Sequence, residues 1–146
     1  MTQLSANFTL AEFTHSEIAT RKGIDNTPPE DVLANLHELA AQMEKVRYLL
    51  DAPIHINSAY RSPKVNAAVG GASTSAHMTG QAVDFICPQF GTPLEVAKAI
   101  AASDIEFDQL IAEGTWVHLG IRGDMRRQVL TAHFSGGKAT YSTGLA

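Results

Sequence analysis

The clearest hydrophobic pattern in the chain is an apolar stripe that recurs every three to four positions between residues 32 and 50. A helix places residues at this spacing on one face, so the stripe predicts an amphipathic helix packed against a core. Its members are Val32, Leu33, Leu36, Leu39, Ala40, Met43, Val46 and Leu50. A similar pattern predicts a helix over about 93–102, and residues 8–23 predict one or two short helical turns that end at Gly23.

The starts of these helices share a Ser/Thr-x-x-Glu pattern, the signature of a capping box. The three pairs are Thr9 with Glu12, Thr27 with Glu30, and Thr92 with Glu95. Pro28 and Pro93 then fall at the first helical position, where a missing N–H is tolerated. The sequence therefore predicts that three helices are capped by these threonines.

The second half of the chain contains most of the predicted strands, which cover 54–58, 81–87, 107–112, 115–121 and 129–134. Only Glu113 and Gly114 separate the third strand from the fourth, which is typical of an antiparallel hairpin. Helices first and strands later predict a single α+β domain over 1–146, with helices packed on a mainly antiparallel sheet. The polar, glycine-rich tail from Gly136 is interpreted as either flexible and disordered or bound to a neighbour.

Composition excludes several classes of function. The chain has 146 residues, of which 45% are hydrophobic and 18% charged, as in a globular domain with one core. A net charge of -4 without a Lys/Arg run argues against binding to nucleic acid or to anionic lipid. The N-terminus has no basic start followed by an apolar run, so we expect cytoplasmic synthesis without a signal peptide, and no membrane insertion.

Two predicted strands direct polar side chains away from the core. Val83 and Phe85 share the core face of one strand and Asp84 takes the other, while His118 leaves the core face of a second strand. An ionised carboxylate among small, apolar neighbours is costly unless a positive charge compensates it. With His77, these residues form a His/Asp/His set that suits Zn²⁺ and leaves a fourth position for water. The residues alone leave a second interpretation open, in which Asp84 caps a turn and the histidines are ordinary polar residues.

Three segments carry a resemblance to a known family: SAYRSPKVN at 58–66, SAHMTGQAVDF at 75–85 and WVHLG at 116–120. In this order they resemble the zinc D-Ala-D-Ala carboxypeptidases and phage L-alanyl-D-glutamate endolysins, which share a fold with the hedgehog signalling domain. Residues 8–36 also look like the phage-associated branch of that family. The resemblance implies that His77, Asp84 and His118 bind zinc, and that Arg61 contacts the substrate or the oxyanion. A guanidinium suits either role because it offers paired donors and stays charged.

One position departs from the pattern of that family. Many relatives carry an acidic general base three residues before the last histidine, where this chain has Thr115. The nearest acid is Glu113, which a two-residue turn would place roughly 13–17 Å along the strand from His118, too far to activate a water. A bulged or curled segment would bring it within reach. We predict Glu113 as the base; the alternatives are an acid from elsewhere, with His133 next to be tested, or no efficient base.

The resemblance implies a zinc metallopeptidase that hydrolyses peptide bonds in the stem peptides of bacterial peptidoglycan. The missing signal peptide fits a phage or prophage lysin that acts at the cell wall after release, or as part of a phage particle. Beside Arg61, we expect Ser75 and Trp116 to contact the substrate, with Trp116 as a groove wall. Two alternatives stay open: a D-Ala-D-Ala carboxypeptidase that trims wall precursors, and a wall-binding module that keeps zinc without catalysis, which Thr115 favours.

Overall fold

The computed structural model describes residues 2–145, which form helices packed on one six-stranded sheet. The helices are α1 (Leu10–Thr14), α2 (Glu17–Lys22), α3 (Glu30–Leu50), α4 (Pro63–Ala68) and α5 (Pro93–Ala101), with a 3₁₀ turn at Ala76–Thr79. The strands are β1 (His55–Ser58), β2 (Ala82–Ile86), β3 (Gln109–Ala112), β4 (Val117–Gly120), β5 (Gln128–Ser135) and β6 (Lys138–Thr143). The predicted α+β class is confirmed.

The sheet has the strand order β1-β2-β4-β3-β5-β6. Neighbouring strands run antiparallel except β3 and β5, which are parallel. This exception arises because β5 follows β4 along the chain but pairs on the far side of β3. The prediction of a mainly antiparallel sheet is therefore confirmed, with one parallel pair that the sequence pattern did not indicate.

The core lies between one face of the sheet and the long helix α3, with α5 beside it. Every residue of the predicted stripe on α3 is buried except Leu33, which is partly buried against the same cluster. The core face of the sheet contributes Val83, Phe85, Val117 and Leu119, as the alternation predicted. The opposite face of β2 and β4 is thereby left free for polar side chains.

The starts of α1 and α5 confirm two of the three predicted capping boxes, those of Thr9 and Thr92. The prediction for Thr27 is wrong, because α3 begins at Glu30, with Pro29 as its N-cap and no capping side chain. A residue before proline avoids helical dihedrals, so the Pro28–Pro29 pair keeps this stretch extended and delays the helix. Within residues 2–145, no helix has both the length and the apolar character needed to cross a membrane.

The structure places a strand where the sequence suggested a flexible or neighbour-bound tail. Residues 138–143 form β6, which pairs with β5 from Ser135↔Lys138 to Leu130↔Thr143. Gly136 and Gly137 connect the strands with φ values of 58° and 76°. A two-residue turn with both central residues in this region matches the twist of a hairpin, and glycine adopts it without strain.

Candidate metal centre

Three side chains that the sequence singled out meet on the open face of the sheet. Asp84 on β2 and His118 on β4 are directly opposite each other in the ladder, and His77 comes from the 3₁₀ turn before β2. Asp84 Oδ1 lies 2.9 Å from His118 Nδ1, and Asp84 Oδ2 lies 3.3 Å from His77 Nε2. The three ligand atoms lie within 4.8 Å of one another. Both Asp84 oxygens thus face histidine nitrogens, which removes the basis for interpreting Asp84 as a turn cap.

The orientation of the His77 ring is set by a backbone contact. Its Nδ1 lies 2.6 Å from the carbonyl oxygen of Ala59, and the residue is only 3% exposed. A carbonyl accepts but does not donate, so Nδ1 carries the proton, and in the neutral ring Nε2 presents its lone pair to Asp84. A lone pair facing a carboxylate oxygen requires a proton or a cation between them. This is the arrangement in which metal-binding histidines are found.

The turn that carries His77 is held against α3. The side-chain amide of Asn35 donates to the carbonyl of Thr79 at 2.9 Å. Gly80 ends the turn with a φ of 71°, and a Cβ there would lie 3.0–3.1 Å from atoms of Val32 and Leu36. Position 80 therefore requires glycine for both its dihedral and its packing. The hydroxyl of Ser75 accepts from the backbone N–H of His77, which fixes the start of the turn.

Asp84 is ionised in this site. Burial raises the pKa of its carboxyl. Hydrogen bonds from His118 and His77, together with the charge of both rings, lower the pKa by more than burial raises it. The net effect holds the pKa of Asp84 well below its usual range. The cluster therefore offers a fixed negative charge between two nitrogens, which is a set of donors suited to a divalent cation.

Arg61 lies beside the cluster in the segment that follows β1. Its backbone N–H donates to the carbonyl of His77 at 3.1 Å, and its Nη2 donates to the Ser75 hydroxyl at 3.4 Å. Its Nε is buried and has no hydrogen-bond partner within residues 2–145. Burial lowers the pKa of Arg61, and the Asp84 carboxylate opposes that shift. The guanidinium therefore stays charged and lines the cleft beside the cluster.

Glu113 lines the cleft that holds the cluster, beside a link between β3 and β4 that is longer than a two-residue turn. The β3–β4 link is a loop over residues 113–116, closed by a 2.9 Å hydrogen bond from the Glu113 N–H to the Trp116 carbonyl. Glu113 lies just beyond the end of β3 and lines the same cleft as His118. The two-residue turn of Glu113 and Gly114, for which a long separation from His118 was predicted, is not formed. Burial raises the pKa of Glu113, His118 lowers it and Asp84 raises it. Thr115 is exposed in the loop.

Every site residue predicted from the sequence lines one cleft of about 660 Å³: Arg61, Ser75, His77, Asp84, Glu113, Trp116 and His118. His133 does not line this cleft. It lies on the face of β5 opposite to Leu130, and its Nε2 is 2.7 Å from Ser142 Oγ. Other lining residues were not predicted from the sequence, among them Asp108, Arg122, Arg126, Leu130, Phe134 and Tyr141. The Ser-Gly-Gly-Lys segment between two alternating stretches was the available signal for the hairpin that supplies the last three.

Comparisons with known proteins bear on this site. A search of curated proteins returns no match to the chain. A family model described as Peptidase M15 matches residues 6–120. The matched range contains α1 to α5, β1 to β4 and all the residues of the cleft that were predicted from the sequence. Because this range is well over half of the chain, the protein belongs to the M15 family of peptidases.

Proposed function

We propose that the protein is a zinc-dependent peptidase that hydrolyses peptide bonds in the stem peptides of bacterial peptidoglycan, as a phage or prophage lysin does. The observation that carries this proposal is the His77–Asp84–His118 cluster with Glu113 in the same cleft. Membership of a peptidase family supports the reaction type. The resemblance of the three sequence segments to wall-cleaving enzymes supports the substrate class.

The donor set fits zinc. Two imidazole nitrogens and one carboxylate oxygen are a common set of three protein ligands at catalytic zinc sites, with a further position left open. His77 and His118 would hold the ion through Nε2 and Nδ1, and Asp84 through either oxygen. When bound there, zinc supplies Lewis-acid chemistry, by which it lowers the pKa of water and polarises a carbonyl group.

Glu113 is the residue of the chain that we assign as general base. Its carboxylate accepts the proton from the attacking water and returns it to the amine that leaves. Partial burial raises its pKa toward the range in which a carboxylate is an effective base. Arg61 lines the cleft, where its guanidinium binds a carboxylate of the substrate, or the carbonyl oxygen as negative charge develops on it.

The position of Glu113 bears on the alternative of a module that keeps zinc without catalysis. That alternative drew its support from Thr115, because a chain without an acid near the last histidine lacks a base. Glu113 lines the same cleft as His118, which supports a carboxylate base in this chain. The observations therefore favour an active enzyme.

The decisive experiment measures hydrolysis of purified peptidoglycan by the zinc-loaded protein, with chelator-treated protein and Glu113→Gln as controls. We expect cleavage that stops with the chelator, returns with added zinc and is lost in the variant. Mass spectrometry of the products identifies the bond: an internal cut of the stem peptide supports the lysin, and released D-alanine supports the carboxypeptidase. If zinc-loaded protein cleaves no stem peptide, the proposal is wrong.

A further inference from the structure

The cleft has a wall that lies outside the range shared with the family. The family match ends at Gly120, whereas the β5–β6 hairpin covers residues 128–143. Leu130 on β5 pairs with Ile111 on β3, which in turn lies opposite His118. Because side chains alternate along strands, the face of the hairpin that carries Leu130, Phe134 and Tyr141 continues the face that holds the metal centre.

These hairpin residues form an apolar surface that solvent can reach. Phe134 is 58% exposed and Tyr141 is 52% exposed, although both are large and apolar. The Phe134 ring lies beside the Glu113 loop, where a Cβ on Gly114 would be 3.1 Å from its edge. Trp116 of the same loop lines the cleft with them. We name Trp116, Phe134 and Tyr141 the aromatic shelf.

The opposite end of the cleft is polar. Arg126 forms a bidentate ion pair with Asp108 through hydrogen bonds of 3.0 and 2.9 Å. Arg122, two residues beyond the end of β4, donates to the carbonyl of Thr74 across the cleft. The cleft therefore runs from charged groups beyond Gly120 to an aromatic surface beyond the Glu113 loop. Asp108 compensates the charge of Arg126, so Arg122 leaves one net positive charge among these three side chains. A peptide with an acidic group in one part has its complement at this end, which leaves the shelf for an uncharged part.

We propose that the β5–β6 hairpin is a substrate-recognition element, in which Phe134 and Tyr141 bind an uncharged, apolar part of the stem peptide beside the scissile bond. This inference rests on the proposed function and adds the residues that select the substrate. Rigid aromatic side chains contribute a large contact area for little loss of conformational entropy, which is why they dominate binding surfaces. Contiguous exposed apolar side chains beside a cleft are the usual mark of such a surface.

The Tyr141 hydroxyl adds a polar contact to this surface. Tyr141 lines the same cleft as Glu113 and Asp84. Burial raises the pKa of Tyr141, and the carboxylates of Glu113 and Asp84 raise it further. The hydroxyl therefore stays protonated and can donate a hydrogen bond to the peptide near the metal centre.

The test compares steady-state kinetics of Phe134→Ala, Tyr141→Ala and Tyr141→Phe on a synthetic stem peptide that the wild-type protein cleaves. Thr140→Ala is the matched control, because Thr140 is also exposed on β6 but on the other face. Loss of a contact made equally in the ground and transition states raises KM and leaves kcat nearly unchanged. We expect KM to rise about tenfold in each alanine variant, the effect of one substantial contact, and by less in Tyr141→Phe.

A second substrate separates recognition from a general loss of structure. It differs from the first by removal of one apolar side chain beside the scissile bond. Wild-type protein should discriminate between the two peptides, and the alanine variants should lose that discrimination while retaining zinc. Unchanged KM values in both alanine variants of an active enzyme overturn this inference and leave the proposed function intact. A wild-type protein that cleaves no stem peptide overturns both.

Discussion

At the scale of single residues, the proposed metal centre depends on two histidines that approach one carboxylate from different elements. His77→Ala and His118→Ala each remove one nitrogen donor from a set of three. We expect both variants to lose most of their zinc, because a site with two protein ligands holds zinc far more weakly. Metal analysis after dialysis measures the loss.

His133→Ala is the control for this experiment, because His133 lies on the opposite face of β5 and does not line the cleft. It should retain zinc at the wild-type level. Full occupancy in both His77→Ala and His118→Ala would contradict the assignment of these residues as ligands.

A second residue-scale prediction concerns the base. Glu113→Gln keeps the shape of the side chain and removes its ability to accept a proton. We expect activity to fall on the order of 10²–10⁴-fold with zinc retained, the usual contribution of a positioned base. Thr115 is exposed in the loop, so Thr115→Glu should not restore activity to the Glu113→Gln variant. Recovery in the double variant would contradict this expectation, because it would show that a carboxylate at position 115 can also serve as the base.

The pH dependence of kcat/KM follows from the same residue. Burial raises the pKa of Glu113 above its ordinary value of 4.5. A base works in its deprotonated form, so activity should be full above this pKa and fall as the pH drops through it. We expect an acidic limb with a midpoint above 4.5, and its loss from the residual activity of Glu113→Gln. Metal content is measured at each pH, so that loss of zinc is not mistaken for protonation of the base.

The sequence predicted the direction of the Asp84 side chain, but it did not determine where Glu113 lies. The alternation of Val83, Asp84 and Phe85 was enough to direct the carboxylate away from the core, because side-chain direction in a strand depends only on its two-residue period. The position of Glu113 depended on whether a loop of two or four residues joined the strands. That choice is set by the pairing register, which local sequence specifies weakly.

At the scale of elements, the helix starts supply a matched pair of substitutions. Thr92 accepts a hydrogen bond from the backbone of Glu95 and caps α5, whereas Thr27 caps no helix. Thr92→Ala should lower the free energy of unfolding by about 0.5–2 kcal/mol, the value of one N-cap. Thr27→Ala should change it by less than about 0.5 kcal/mol, as at an ordinary surface position. Denaturant unfolding measures both, and equal losses would contradict this account of the caps.

The elements that the sequence missed share a physical cause. α4 has six residues and the 3₁₀ turn has four, so neither is long enough to show a hydrophobic period. Every residue of β6 is exposed, so its sequence carries no apolar signal and resembles a loop. Long, half-buried elements such as α3 were predicted well because burial of one face imposes the pattern that identifies them.

At the scale of the whole molecule, zinc should contribute to the stability of the fold. Its proposed ligands come from the 3₁₀ turn, β2 and β4, which are brought together only in the folded chain. At a free zinc concentration of 100 times Kd, binding adds about 2.7 kcal/mol to the free energy of unfolding. For a domain of this size that corresponds to roughly 5–10 °C in Tm. Calorimetry with and without a chelator measures the shift, which should be absent in His77→Ala.

The location of the β5–β6 hairpin has an evolutionary consequence. The hairpin lies at the edge of the sheet, and within residues 2–145 the buried core cluster includes no residue from 130 to 143. Mutations at most of these positions therefore cost little folding free energy, whereas changes on β2 or β4 disturb both the core and the metal centre. Under the proposal that the hairpin recognises the substrate, selection for a different substrate can act on the hairpin while the residues of the cleft on β2 and β4 stay unchanged. Homologues that cleave different substrates should accordingly diverge fastest in this segment, in sequence and in length.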